Sequence, residues 1–271
     1  MIKRLLVSGI AALATAFLLS PVSAEARDID DVIKSGVIKI AVHPNGPPRS
    51  ALDTKGEWTG YDIDIGNEIA RMLGVKVEFV ATETPQRIPN ILSDVVDISL
   101  GALTRTPDRA KVIDYTVPLH TESMATLTTD KYPNHNSWKD FDKPGMKAVD
   151  CRGCRPGEWV KENMKNVELL LVESGADSVR ALAQGRADFI VENLDFYGEY
   201  MKQYPNVKWR ILPDVIQTFY CGIGVKRGNT GLKYWLNVAL YDMQVRNFHG
   251  KAWEKNFGTP QVAPVVPQPY F

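Results

Sequence analysis

Cysteine is scarce, with three in 271 residues, and that scarcity excludes a fold built on a disulfide framework. A surplus of one charge sign is missing too: 32 lysines and arginines face 32 aspartates and glutamates. Without extra basic side chains to neutralise phosphates, the chain is not a nucleic-acid coat. The four histidines, at 43, 120, 135 and 249, are scattered and offer no zinc-ligand spacing. Neither a P-loop nor an HExxH pattern occurs, and no Ser-His-Asp set is apparent. What remains is ordinary globular material, 44% hydrophobic and 24% charged, long enough to bury a core.

Long apolar runs are confined to Leu5–Leu19, behind Lys3 and Arg4 and ahead of the small residues between Pro21 and Ala26. The run is shorter than the roughly 20 residues a bilayer span needs. Its three-part order reads as a secretory signal peptide, cut after Ala24 or Ala26, rather than an uncleaved anchor. The expected location of the mature chain is the periplasm.

Short β-branched runs alternate with helical periodicity through the rest. Val37–Val42, Val75–Val80 and Val95–Leu100 read as strands, and Ile65, Ile69, Met72 and Leu73 share one helix face that Gly74 ends. Thr106, Pro107 and Asp108 read as cap, first residue and acidic first turn of a short helix. A similar series follows: strands at Met124–Thr129, Lys147–Asp150, Val167–Val172, Ala187–Val191 and Phe219–Val225. A helix leads from Cys154–Gly157 through Met164, Ser174 caps Gly175–Gln184, and Leu232 to Met243 trace an apolar stripe. Strands separated by helices favour parallel βαβ units. The expected architecture is α/β and two-lobed, with two crossover strands near 119–128 and 217–226 and a ligand cleft between the lobes. The expected division is 1–26 signal peptide, 27–120 plus 221–257 first lobe, 121–220 second lobe and 258–271 a Pro-rich tail.

Three stretches carry a resemblance. Gly56-Glu57-Trp58-Thr59-Gly60-Tyr61-Asp62-Ile63-Asp64-Ile65 is the first. Arg87-Ile88-Pro89 through Thr104-Arg105-Thr106-Pro107-Asp108-Arg109-Ala110 is the second, and Ala183-Gln184-Gly185-Arg186-Ala187-Asp188 the third. In order and spacing they resemble the amino-acid (family 3) periplasmic solute-binding proteins of ABC importers, over about residues 38 to 257. The resemblance implies a type II periplasmic-binding fold that closes on a small solute and passes it to an inner-membrane permease. A monomer without cofactor or metal is expected.

The same resemblance places Arg109 on the ligand carboxylate, with Thr104 and the backbone around Ala102 as further donors; a guanidinium suits a carboxylate by two parallel bonds. Arg87 falls where acidic-amino-acid binders face the ligand side chain. Cys154 and Arg155 stand where the family has threonines at a helix N-terminus. Two departures appear: Asn193 falls where the family has an acid for the ligand ammonium, and His43 replaces an acidic residue near the first strand. Glu192 is adjacent to Asn193, but neighbours on a strand face opposite sides. Trp58, Tyr61 or Tyr220 would have to supply the stacking platform. By this count the cleft leans cationic and favours an acidic amino acid or organic acid.

Two of Cys151, Cys154 and Cys221 are expected to pair in the periplasm, with the pair left open. A different class of function stays in view: an enzyme resembling cyclohexadienyl dehydratases, with Glu192 or Glu173 as general acid. A non-transport periplasmic partner is a third reading.

Overall fold

The computed structural model describes residues 27–261 and 263–267, and the expected signal peptide lies outside them. α1 (Ile29–Ser35) and β1 (Val37–Val42) lead to a small antiparallel sheet of β2 (Asn45–Gly46), β3 (Ser50–Leu52) and β4 (Trp58–Thr59). Next come α2 (Tyr61–Leu73), β5 (Lys76–Ala81), α3 (Arg87–Leu92), β6 (Ile98–Ser99) and α4 (Pro107–Ala110). β7 (Ile113–Thr129) then runs 17 residues unbroken. β8 (Lys147–Cys151), α5 (Arg155–Asn163), β9 (Glu168–Val172), α6 (Gly175–Ala183), β10 (Ile190–Asn193) and α7 (Leu194–Lys202) follow. β11 (Trp209–Ile211), β12 (Gln217–Lys226), α8 (Thr230–Val245) and α9 (Phe248–Phe257) close the order.

The main sheet runs β10-β7-β12-β6-β1-β5, with β11 also on β7. β1 is parallel to β5 and β6, whereas β7 and β12 pair antiparallel from Ile113↔Lys226 to Met124↔Gln217. These two strands are the crossovers that join two α/β lobes. Apolar clusters divide the same way. One gathers Ile38, Ile40, Ile65, Leu232, Leu236 and Trp253; others gather Phe141, Trp159 and Phe189, or Val179, Leu182 and Tyr197. We propose lobe limits of 27–120 with 221–257, and 121–220, on that division.

Local chemistry explains most elements. Thr106 Oγ1 accepts from Arg109 N at 3.3 Å, and Ser174 Oγ from Asp177 N at 3.2 Å, which satisfies amides that α4 and α6 leave open. Gly74, at φ 72°, ends α2 in the left-handed conformation. The stripe on α8 is buried at Leu232, Leu236, Ala239, Leu240 and Met243.

Three expectations shift. The strand expected over Val95–Leu100 shrinks to Ile98–Ser99, because the amides of Val95 and Val96 bond back to Asn90 O at the end of α3. The strand expected over Ala187–Val191 is displaced to Ile190–Asn193, where β7 offers an antiparallel partner. The strand expected at Val167–Val172 begins at Glu168, which is exposed, and stays half-buried from Leu169 to Val172, since its only strand partner among the described residues is β8.

Gly60 holds α2 against the loop before it. Its φ is 123°, and a Cβ there would sit 2.4 Å from the Arg49 carbonyl oxygen. Gly60→Ala should therefore cost about 1–3 kcal/mol through backbone displacement. In differential scanning calorimetry that corresponds to about 2–4 °C for each kcal/mol in a chain of this size. An unchanged melting temperature would contradict the packing described.

Candidate ligand-binding cleft

Between the lobes lies about 700 Å³ of empty space, partly open to solvent. The first lobe lines it with the loop from His43 to Ser50, Asp62 in the first turn of α2, and the Gly101–Thr104 loop. The second lobe contributes the ends of β8 and β10 and the first turns of α5, α6 and α7. Strand ends and helix N-termini thus converge, as is usual for ligand sites in α/β sheets.

Arg49 forms the base. Its Nη2 lies 2.8 Å from Glu122 Oε1, its Nη1 donates to His120 Nε2 at 2.9 Å, and the guanidinium faces the Trp253 ring at 5.2 Å. Burial opposes the charge on Arg49, but Glu122 and Asp62 more than offset it. His120 is pushed well down by burial and by Arg49, consistent with a neutral ring that accepts. His120, Glu122 and Cys221 offer ligand atoms within 4.8 Å of one another, yet Arg49 already places a cation on the first two. Burial, then Glu122, pushes the Cys221 thiol up, and its Sγ donates to Glu122 Oε2 at 3.3 Å.

Seven of the eight residues expected to bind ligand line the cavity; Arg109 does not. Its guanidinium bonds Thr104 O at 3.2 Å, Gly153 O at 3.1 Å and Glu158 Oε1 at 3.2 Å. An acid one turn into α5 has taken the place expected for a ligand carboxylate, so Arg109 ties the lobes together here. Arg87 is buried in the cavity wall and, among the described residues, donates only to carbonyls, those of Thr84, Gly101 and Ala102. Burial pulls it down to about 10 and neighbouring Arg109 adds to this, which leaves it charged at neutral pH. Ala102 adopts φ 56°, a left-handed turn that bends this loop around Arg87.

His43 is engaged on both nitrogens, accepting from Asn45 N at 3.0 Å and meeting Glu83 at 2.9 Å. Arg155 forms a bidentate pair with Glu162 at 3.0 and 2.9 Å, while its Nε is buried without a protein partner. Asn193 Oδ1 is likewise buried and unpartnered.

The charge count made from sequence does not hold, because Asp62, Glu122 and Glu192 line the same cavity. Asp62 Oδ2 accepts from Gly101 N at 3.1 Å, its Oδ1 is buried and unpartnered, and burial raises its carboxyl to about 6. Glu192 and Asn193 were expected on opposite faces. Both reach the cleft because β10 ends there, with Asn193 at the N-cap position of α7, its side chain making no capping bond, and its backbone N–H donating to Glu192 Oε1 at 2.8 Å. Glu173, the other acid considered, is exposed and meets Arg152 outside the cavity.

Aromatic lining comes from residues not anticipated. Phe196 and Tyr200, one turn apart on α7, pack with ring centroids 4.5 Å apart at a tilt of 30°. Their i, i+4 spacing was readable. Tyr61 is core, edge-on to Trp253; Trp58 packs on Phe79, and Tyr220 lines a separate surface depression. Cys151 and Cys154 form the disulfide, and Cys221 is free and buried.

The family model of bacterial extracellular solute-binding proteins, family 3, matches residues 38–259. The L-cystine-binding protein TcyJ of Escherichia coli is 23% identical over 231 residues, covering 85% of this chain and 86% of that protein. Cyclohexadienyl dehydratase of Pseudomonas aeruginosa is 24% identical over 183 residues, covering 66% and 68%. The crystal structure of the ancestral amino acid-binding protein AncCDT-1, a precursor of cyclohexadienyl dehydratase, superposes with a TM-score of 0.78 at 29% identity, covering 84% of this chain and 99% of that one. Among the described residues no helix is long and apolar enough to cross a membrane.

Glu192 gives the cleft a pH signature. Burial, reinforced by Glu122, lifts its carboxyl from 4.5 to about 8. The folded state then binds a proton that the unfolded state releases, so stability from this group is complete below about pH 4.5 and is lost as pH rises through about 8. Glu192→Gln should raise the melting temperature more at pH 8.5 than at pH 5. An equal effect at both pH values would show that Glu192 does not titrate as described.

Proposed function

We propose, on the premise that this chain belongs to family 3 of the bacterial extracellular solute-binding proteins, that its cleft captures one small α-amino acid by ammonium and carboxylate together. The amino-acid type of binding protein is the class to which the chain's matches point. One observation carries the finer reading. Two buried acceptors, Asp62 Oδ1 and Asn193 Oδ1, and one buried donor, Arg155 Nε, lack protein partners in a single cavity. Each unpartnered buried polar group costs about 1–3 kcal/mol. A zwitterion offers N–H donors to the first two and carboxylate oxygens to Arg155 and to Arg87.

The bias toward acidic ligands is dropped from this reading. It counted Arg87, Arg109 and Arg155 against Asn193, whereas Glu158 holds Arg109 and three acids share the cavity. Phe196 and Tyr200 would flank the ligand side chain. Export through a cleaved signal peptide, capture in the periplasm and delivery to an ABC permease complete the proposal.

A second reading is favoured by Glu192, a buried carboxyl in the cleft whose pKa burial lifts to about 8, and by a relative named cyclohexadienyl dehydratase. Glu192 would then serve as general acid in an elimination. Incubation with a cyclohexadienyl acid separates the two, since dehydration yields an aromatic product with new ultraviolet absorbance.

Calorimetric titration with a panel of neutral, basic and acidic amino acids should give at least one saturable ligand. Arg87→Gln should weaken it by at least about thirtyfold, because losing a desolvated charge pair costs about 2–5 kcal/mol. Wild-type affinity in Arg87→Gln, in a variant that still melts cooperatively, would remove Arg87 from the site.

A further inference from the structure

The disulfide between Cys151 and Cys154 stands in the wall of the cleft, where both residues face the cavity. Cys151 ends β8 and is 2% exposed, whereas Cys154, the N-cap of α5, is the more open of the two. Beside them Asp150 is fully buried. Its Oδ1 accepts from Cys151 N at 2.6 Å, its Oδ2 has no protein partner, and a carboxyl oxygen lies within 4.8 Å of both sulfurs. A disulfide that served only to fasten the loop would need no unpartnered buried acid at its back.

We propose that Cys151–Cys154 is a thiol-exchange site in the cleft wall, which takes a small carboxylate-bearing thiol as a mixed disulfide on Cys154. The ligand's thiol loses its proton to solvent, and its sulfur attacks the Sγ of Cys154, the more open residue, as the Cys151–Cys154 bond breaks. The electron pair leaves on Cys151 Sγ, which takes the proton of the Asp150 carboxyl; Asp150 is then reprotonated from solvent. One disulfide is consumed and one is formed, so no outside oxidant or reductant is needed. Burial and the nearby Glu192 push Asp150 well above the usual carboxylate range, which keeps that proton available. The carboxylate requirement comes from Arg155, the next residue along, and Arg87 across the cavity. The carboxylate preference rests on the amino-acid reading through Arg155 and Arg87, whereas the exchange itself stands on the disulfide and Asp150.

The test uses the oxidised full-length mature protein with 3-mercaptopropionate and 2-mercaptoethanol, compared at equal thiolate concentration. After acid quenching and alkylation, intact mass and peptide mapping locate the products. The expected result is a gain of one whole thiol on Cys154, alkylation at Cys151, and at least tenfold faster reaction with the carboxylate thiol. Asp150→Asn should slow exchange at least tenfold and change its pH profile, and Cys154→Ser should abolish the adduct. An adduct on Cys151, equal rates for the two thiols, or an unchanged pH profile in a folded Asp150→Asn variant would each overturn the proposal. Calorimetry with non-thiol amino acids on the same preparations reports on amino-acid capture separately.

Discussion

A buried guanidinium must be surrounded, and the requirement of Arg49 organises the cleft. Glu122 and His120 come from the crossover strand β7, and the rings of Trp253 and Phe257 come from α9. The Arg49 carbonyl accepts the Asp62 amide at 2.8 Å and so fixes the start of α2, which aims Asp62 into the cavity. Removing one partner of such a pair leaves a charge stranded in low dielectric, at a cost of about 3–5 kcal/mol. The pair is therefore better read as a device that fixes geometry at the junction of hinge, helix and cleft than as a source of net stability.

The contacts that draw the lobes together are of another kind. Arg109 meets Glu158, which is 41% exposed, and Tyr200 Oη donates to Asn45 O at 3.1 Å. Arg109 is itself only 10% exposed, but water reaching Glu158 screens the pair, which is weaker than a fully desolvated one. Weak closing contacts across two continuous strands suit a hinge that must release what it holds. Strength resides at the hinge, where Arg49 sits, and reversibility at the rim. This division also explains why Arg109 and Arg87 differ: one has a carboxylate at the rim, and the other has only carbonyls in the interior.

Much of the fold was legible because its signals are local. The α8 stripe, the Thr106 and Ser174 caps and the Gly74 stop each depend on residues a few positions apart, and the motif order carried the two-lobed topology. The cleft was legible as a place more than as a mechanism. Arg49 and Glu122 acquire meaning only when β7 brings them together, and no periodicity announces that. Glu158 claims Arg109 from the other lobe, again a long-range event. The rule of alternating strand faces misjudged Glu192 because it assumes that the strand continues, whereas β10 ends at Asn193. The cysteine pairing stayed open because spacing alone does not reveal that Cys221 is sealed beneath Thr104 and Glu122.

The central proposal is that the cleft recognises both ends of a zwitterion through the groups its own contacts leave open, Asp62, Asn193, Arg155 and Arg87. Its most direct test takes the best amino-acid ligand and compares it, by calorimetric titration, with the same molecule lacking the carboxylate and the same molecule lacking the amine. The account requires each deletion to weaken binding by at least about thirtyfold, in line with the loss of a buried charge-assisted contact. An amine-free acid that binds as tightly as the parent amino acid would contradict it.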